Sequence, residues 1–221
     1  MSQIPAQYSV TILERHWFND EIYELRCTRP PGFTFQPGQF VELRHQQLER
    51  EYTIISAPDE AGLRLLIKRM PQGNLSVFLA GLPPGTILNL SAAKGYFCFQ
   101  PSDKQPCFIA TGTGIAPFIA MYAAGVRDFT LLHGVRHPSA LVYRRELSAA
   151  ARNYMPCLSA PIPTGTDFPC FQGYVSACVH TMLPHDDYDF YLCGRRAMIH
   201  DLTHLLDERY PQARIYSEAY D

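Results

Sequence analysis

The sequence predicts two successive folds: an N-terminal antiparallel β-barrel over residues 1–102 and a C-terminal α/β domain with a doubly wound parallel sheet over residues 103–221. Short apolar and β-branched runs, divided by Pro- and Gly-containing turns, fill the first hundred residues, the pattern of a sandwich or barrel. A polar break, PSDKQP at 101–106, ends that pattern. Beyond it, strand-like and helix-like runs alternate every 20–30 residues, the mark of a parallel sheet covered on both faces.

Taken in order, the strand-like runs of the first half are YSVTILERHWF, EIYELRCTR, QFVELRH, REYTIIS, LRLLIKRM and TILNLSA. Turn signals divide them: PPG at 30–32, PGQ at 37–39, PDEAG at 58–62 and PPG at 83–85. LSVFLAGL at 75–82 reads as a single short helix. In the second half CFIATG, DFTLLHG, NYMPCLSA, DFYLCG and ARIYSEAY read as strands. IAPFIAMYAAG, ALVYRRELSAAA, YVSACVHTML and RAMIHDLTHLLDERY read as helices. There is no internal repeat and no low-complexity segment.

Composition bounds the function. The chain has 221 residues, 47% hydrophobic and 18% charged, which suits a well-cored protein. A formal net charge of −2 gives no electrostatic reason to expect nucleic acid or an anionic membrane as partner. The N-terminus, MSQIPAQYSV, lacks the basic and apolar regions of a leader. No apolar run approaches the roughly 20 residues that span a bilayer. A soluble, cytoplasmic protein is expected. Its seven cysteines form no C-x-x-C pair and no plant-type ferredoxin spacing, so free thiols and no metal centre or iron–sulfur cluster are expected.

Four stretches suggest chemistry. REYTIISAP opens with Arg50, and Tyr52 falls on the same face of the predicted strand, an unusual pair for a core-facing position. Gly112-Thr113-Gly114-Ile115-Ala116-Pro117 joins a strand to a helix, where glycines let a ligand approach the backbone and a helix start favours phosphate. An isolated G-x-G is equally the pattern of a plain tight turn. Gly73-Asn74-Leu75-Ser76 is a second glycine turn feeding a helix, readable as a phosphate cradle or as an ordinary capped helix. Cys193-Gly194 ends the strand YDFYLC, where ligands sit in open α/β sheets; Cys193 is equally readable as a small core residue.

The order of these pieces, Arg50-x-Tyr52-Thr53, Gly73-x-x-Ser76, GTGIAP, Cys193-Gly194 and a C-terminal Glu218-Ala219-Tyr220, resembles the ferredoxin–NADP reductase family. PGQF at 37–40, KGYF at 94–97, HGVR at 133–136 and YRREL at 143–147 extend the resemblance over nearly the whole chain. It implies an FAD-dependent oxidoreductase using NADH or NADPH, with FMN disfavoured. On the flavin side it implies Arg50 at the pyrophosphate, Tyr52 stacked on the isoalloxazine and Thr53 bonded to N5. The Thr53 role requires the strand to bend, since alternation turns it away from Tyr52. Gly73, Asn74, Leu75 and Ser76 would hold the flavin phosphates, with Glu51, Ile67 and Lys68 alongside. On the nucleotide side it implies Gly112, Thr113, Gly114 and Pro117 in the binding loop, with Arg136, Ser159, Gly194, Arg195 and Met198. Cys193 would shape hydride-transfer geometry near the nicotinamide without acting as a covalent nucleophile. Tyr220 would cover the flavin until nicotinamide displaces it, and Glu218 would be a polar or proton-relay group. Asp221 after Tyr220 departs from the family pattern and adds a carboxylate.

Two expected 2′-phosphate cations are missing. Ser159-Ala160 stands where relatives carry Ser-Arg, and Gly173-Tyr174-Val175 where they carry Gly-Arg-Val. No acidic residue at Ala160 repels a phosphate either, so NADH and NADPH both stay open, NADH slightly favoured. With no cluster of its own, the chain should pass electrons to a separate small acidic carrier, a ferredoxin or flavodoxin, or to an oxygenase component. A basic rim of Arg44, His45, Lys68, Arg69 and Lys94 is the expected docking surface. A monomer is expected. A flavin reductase using diffusible flavin and a non-catalytic flavin-binding subunit of a larger redox complex are the alternatives.

Overall fold

The computed structural model describes residues 7–45 and 47–220, with only the backbone of Asn74. The leader reading of residues 1–6, the side chain of Asn74 and the Asp221 carboxylate lie outside the described residues. The chain divides into two units: residues up to Phe99 with Ile119–Ala124, and Gln100–Phe118 with Gly125 onward.

The first unit is an antiparallel sheet of six strands, β1 (Gln7–Trp17), β2 (Ile22–Thr28), β3 (Phe40–His45), β4 (Leu48–Thr53), β5 (Gly62–Lys68) and β6 (Ile87–Ser91), in the order β4-β3-β6-β1-β2-β5. Its edges approach one another. Ile54 bridges to Leu65, and the Ile55 N–H donates to the Arg64 carbonyl at 2.8 Å, so the sheet curls into a near-barrel. Alternating residues fill it: Val10 and Ile12, Val41 and Leu43, Leu63, Leu65 and Ile67, Leu88 and Leu90 are all buried together. The predicted strand REYTIIS is therefore two pieces. Through Thr53 it pairs with β3, and from Ile54 it turns to β5.

Helix α1 (Asn74–Gly81) sends Leu75 and Leu79, four residues apart on one face, into this core. Burying each leucine contributes about 1.5–3 kcal/mol. Arg15 secures the far end of α1 by donating to the carbonyls of Leu79 and Leu82, both at 2.7 Å, groups that a helix terminus leaves without partners.

The second unit is a parallel sheet of β7 (Gln105–Thr111), β8 (Thr130–Val135), β9 (Asn153–Leu158), β10 (Phe171–Gln172), β11 (Tyr188–Arg195) and β12 (Arg214–Tyr220), in the order β10-β9-β8-β7-β11-β12. The chain winds outward from β7 to β10, then returns to the other side of β7 as β11. The strand order thus reverses between β7 and β11, the place where open α/β sheets bind ligands. Helices α2 (Ala116–Ala123), α3 (Arg144–Ala150), α4 (Val175–Met182) and α5 (Arg196–Arg209) connect the strands. The predicted helix over 140–151 begins only at Arg144, because Pro138–Ala140 forms a 3-10 turn and Tyr143 is left-handed at φ 55°. The two-residue strand β10 carries too little pattern to be read from sequence. All seven cysteines are free thiols. Among the described residues no helix is long and apolar enough to cross a membrane.

Candidate functional site

In the first unit, strand register places the unusual pair. Arg50 lies opposite Leu43 and Tyr52 opposite Val41, so both share the face that fills the barrel. They sit on the edge strand β4, against which α1 packs. Arg50 is exposed, and its Nη1 donates locally, to the Glu49 carbonyl at 2.8 Å. Tyr52 is half-buried against the core; burial pushes its phenol up to about 12, with the Arg50 cation opposing, so it stays neutral. Thr53 is buried on the opposite face, paired with Phe40, and Glu51 is exposed on that face. The pairing with β3 is regular through Thr53, and the chain passes to β5 only from Ile54.

The Gly73 turn is tied more tightly than its sequence suggests. The Gly73 N–H donates to the Met70 carbonyl at 2.8 Å, and Ser76 Oγ accepts the Met70 N–H at 3.0 Å. The Ser76 carbonyl in turn accepts the buried Tyr23 hydroxyl at 3.2 Å. Ser76 therefore closes its own turn first, and the N-cap position of α1 is Gly73, which has no side chain to cap it. Ile67 and Leu75 are core side chains, and Ile67 is paired with Tyr23 across β2 and β5. Lys68 pairs with Glu21 at 3.4 Å.

In the second unit, the loop after β7 and the turn after Cys193 meet backbone to backbone. A Cβ on Gly114 would stand 2.7 Å from the Cys193 carbonyl carbon and 2.8 Å from Gly194 Cα. Gly194, at φ 141°, would drive a Cβ into Thr111 Oγ1, and that hydroxyl accepts the Arg195 N–H at 3.0 Å. Gly112 differs: it is left-handed at φ 55°, and a Cβ there would meet nothing within 4 Å. Gly114 thus serves packing, and Gly112 leaves the loop open. Pro117 is buried, and Thr113 is partly exposed beside it.

Cys193 lies opposite Glu218, and Arg195 opposite Tyr220, so the four side chains share one face of the sheet. The Cys193 thiol is fully buried. Burial holds its pKa well above the ordinary range, the Glu218 carboxylate adds to this, and a hydrogen bond with the Tyr220 side chain opposes it. Cys193 is accordingly a protonated thiol and a poor nucleophile. Arg195 is exposed at the strand end, whereas Met198 packs against the core. Arg136 and Ser159 are exposed at the ends of β8 and β9, joined by the Ala160 N–H donating to the Arg136 carbonyl at 3.1 Å.

One residue of this site had no signal as chemistry in the sequence. His133 is buried in β8, with Nε2 3.1 Å from the Gly112 carbonyl and Nδ1 3.3 Å from the Tyr154 hydroxyl. Burial depresses its pKa to about 4. The residues of the expected basic rim have local partners in the structure. Arg44 pairs with Glu42 and Glu49, Lys94 with Glu42, and Lys68 with Glu21. Arg69 lies over the Trp17 ring at 5.5 Å, and His45 stacks on Phe78 at 4.3 Å. Three carboxylates thus stand beside Arg44, Lys94 and Lys68, while Arg69 and His45 lie against neutral rings and keep no carboxylate partner among these contacts.

Residues 17–99 match the oxidoreductase FAD-binding domain, and residues 108–204 the oxidoreductase NAD-binding domain. Ferredoxin–NADP reductase B of Sorangium cellulosum is 30% identical, over 90% of this chain and 92% of that protein. The chain belongs to the ferredoxin–NADP reductase family. This reductase-family chain is also 31% identical to the toluate 1,2-dioxygenase electron transfer component of Pseudomonas putida over 75% of its own length, spanning 52% of that protein. In fold it is similar to a ferredoxin NADP+ reductase from Neisseria gonorrhoeae solved with bound FAD and NADP, with a TM-score of 0.80 and 22% identity over 96% of this chain and 98% of that one. It is a flavoprotein oxidoreductase with FAD as cofactor and NAD(P)H as co-substrate. The residues present suit both groups: a Cβ on Gly112 would meet nothing within 4 Å, which leaves that backbone open, and α1, with Gly73 at its N-cap, packs against the strand bearing Arg50 and Tyr52.

Proposed function

We propose that this reductase moves electrons between NADH or NADPH and a separate one-electron carrier, a ferredoxin or flavodoxin, in the service of an oxygenase. The carrying observation is the convergence of Gly112, Cys193, Glu218 and Tyr220 at the carboxyl ends of β7, β11 and β12, where the strand order reverses. The names of relatives support the direction: ferredoxin–NADP reductases, a toluate dioxygenase electron transfer component and a glycine betaine monooxygenase reductase subunit. Bound flavin supplies the exchange between a two-electron hydride and single electrons.

On this reading residues 1–102 are the FAD domain and residues 103–221 the NAD(P) domain. Arg50 binds the flavin pyrophosphate with a planar cationic fork, Tyr52 covers the isoalloxazine, Thr53 bonds N5, and Gly73 to Ser76 offer backbone groups to phosphate. Glu51, Ile67 and Lys68 flank the flavin. The loop from Gly112 to Pro117 receives the dinucleotide, with Gly194, Arg195 and Met198 beside the nicotinamide and Arg136 and Ser159 toward the adenosine. Cys193 stays protonated and orients the nicotinamide; Glu218 holds or passes a proton; Tyr220 occupies the nicotinamide position until the nucleotide arrives. NADH is slightly favoured, because Ser159-Ala160 and Gly173-Tyr174-Val175 lack the two expected cations, with Arg136, Arg195 and Arg196 left to compensate. The protein is a cytoplasmic monomer.

The test is an anaerobic visible spectrum of the purified protein, titrated with NADH and with NADPH, followed by reduction of ferredoxin and flavodoxin. Bleaching of a retained flavin by either nucleotide, with onward reduction of a carrier, is the expected result. A colourless protein that takes up no FAD would end this reading.

A further inference from the structure

We infer that His133 is a positioning residue for nucleotide binding: its imidazole sets the direction of the Gly112–Thr113 peptide in the loop after β7. The inference deepens the proposed nucleotide site and rests on that reading.

The argument begins with the two partners of the ring. The Gly112 carbonyl, 3.1 Å from Nε2, can only accept, so Nε2 carries the proton. Nδ1 is then the acceptor, and the Tyr154 hydroxyl, 3.3 Å away, donates to it. One tautomer satisfies both contacts, and it is the neutral one, as full burial also demands. Register supports the placement: β8 runs parallel to β7 with His133 opposite Ala110, so its imidazole reaches the first residue beyond the β7 strand end.

Gly112 needs an anchor there. Its left-handed φ of 55° and the open space around its Cα leave little local packing to choose one peptide orientation. The peptide is planar and trans, so its carbonyl and the following N–H point in opposite directions. Fixing the Gly112 carbonyl toward His133 therefore aims the Thr113 N–H away from the imidazole. Thr113 lies in the first turn of a 3-10 turn, Gly112–Ile115, where backbone N–H groups lack intraturn partners. An N–H so aimed is the donor that an anionic nucleotide group requires, and presetting it removes an ordering cost from binding.

The test compares His133→Leu, His133→Gln and Tyr154→Phe in the flavin-loaded protein, using nucleotide-dependent reduction of an artificial one-electron acceptor. His133→Leu should raise the nucleotide KM about tenfold, equivalent to about 1.4 kcal/mol, with kcat within about twofold and the flavin spectrum and stoichiometry unchanged. His133→Gln, whose amide can place a donor near the Nε2 position, should recover most of the KM. Tyr154→Phe, which releases the tautomer, should raise KM about threefold. An unchanged KM in His133→Leu, or a His133→Gln as impaired as His133→Leu, would overturn the inference. Should His133→Leu fail to fold, an unchanged KM in Tyr154→Phe overturns it. A wild-type protein that holds flavin but responds to neither nucleotide instead overturns the reading beneath it.

Discussion

Gly114 packs against the backbone of Cys193 with no room for a side chain: a Cβ there would stand 2.7 Å from the Cys193 carbonyl carbon and 2.8 Å from Gly194 Cα. The contact joins the loop after β7 to the end of β11 at the reversal of strand order. Its neighbours are backbone atoms, which cannot rotate away. Gly114→Ala should therefore destabilise the protein by about 1–3 kcal/mol, the range for overpacking. Urea unfolding measures this. A variant as stable as wild type would show that the two segments separate easily, and would remove packing as the reason for this glycine.

Arg50 is exposed and, among the described residues, is hydrogen-bonded to its neighbour's carbonyl, so replacing it should disturb little of the protein itself. Arg50→Ala should leave the melting temperature of the flavin-free protein nearly unchanged. It should weaken FAD retention by about 1.5–3 kcal/mol, the contribution of a charge-assisted hydrogen bond. Equilibrium dialysis reads the affinity directly, and an unaltered value rejects the pyrophosphate role.

Cys193 is buried and its thiol is held protonated, whereas Cys98 and Cys170 are partly exposed. Alkylation proceeds through the thiolate and requires access. Iodoacetamide at pH 8 should label Cys98 and Cys170 in the native protein long before Cys193. Peptide mass mapping over time distinguishes the sites. Early labelling of Cys193 would mean an accessible, activated thiol and would revive a covalent role for it.

His133 makes stability depend on acidity. In the unfolded chain its imidazole protonates near 6.5, and in the folded protein only near 4. Between those values the unfolded chain binds more protons, so this contribution is complete above about pH 6.5 and is lost as pH falls toward 4. The loss amounts to about 3 kcal/mol. Urea midpoints of wild type and His133→Gln between pH 7 and 4.5 should diverge, wild type falling more steeply. Parallel curves would place the imidazole in a wetter setting than its two contacts imply.

The order Arg50, Gly73, Gly112, Cys193, Tyr220 was legible because each piece is a local device: a strand face, a turn, a strand end. Strand and helix runs were legible for the same reason, since periodicity and turn chemistry act between near neighbours. The failures were of another kind. Reading 140–151 as one helix missed a left-handed Tyr143, and reading REYTIIS as one strand missed the handover from β3 to β5 at Ile54. Nor could the sequence show that Glu42, Glu49 and Glu21 stand beside Arg44, Lys94 and Lys68 of the basic rim, since these pairs are made by strand register and folding.

By itself, then, the sequence determined the two folds and the family, and it offered candidate residues for flavin and nucleotide. Tertiary structure decided which atoms each of them meets. It separated Gly114, which exists for packing, from Gly112, which leaves space; it turned the Ser76 hydroxyl back onto its own turn; and it brought His133 to a carbonyl 21 residues earlier in the chain. The reason is that local patterns specify elements through neighbouring residues. Which atoms of distant elements meet is set only by register and packing, and no short stretch of chain encodes those.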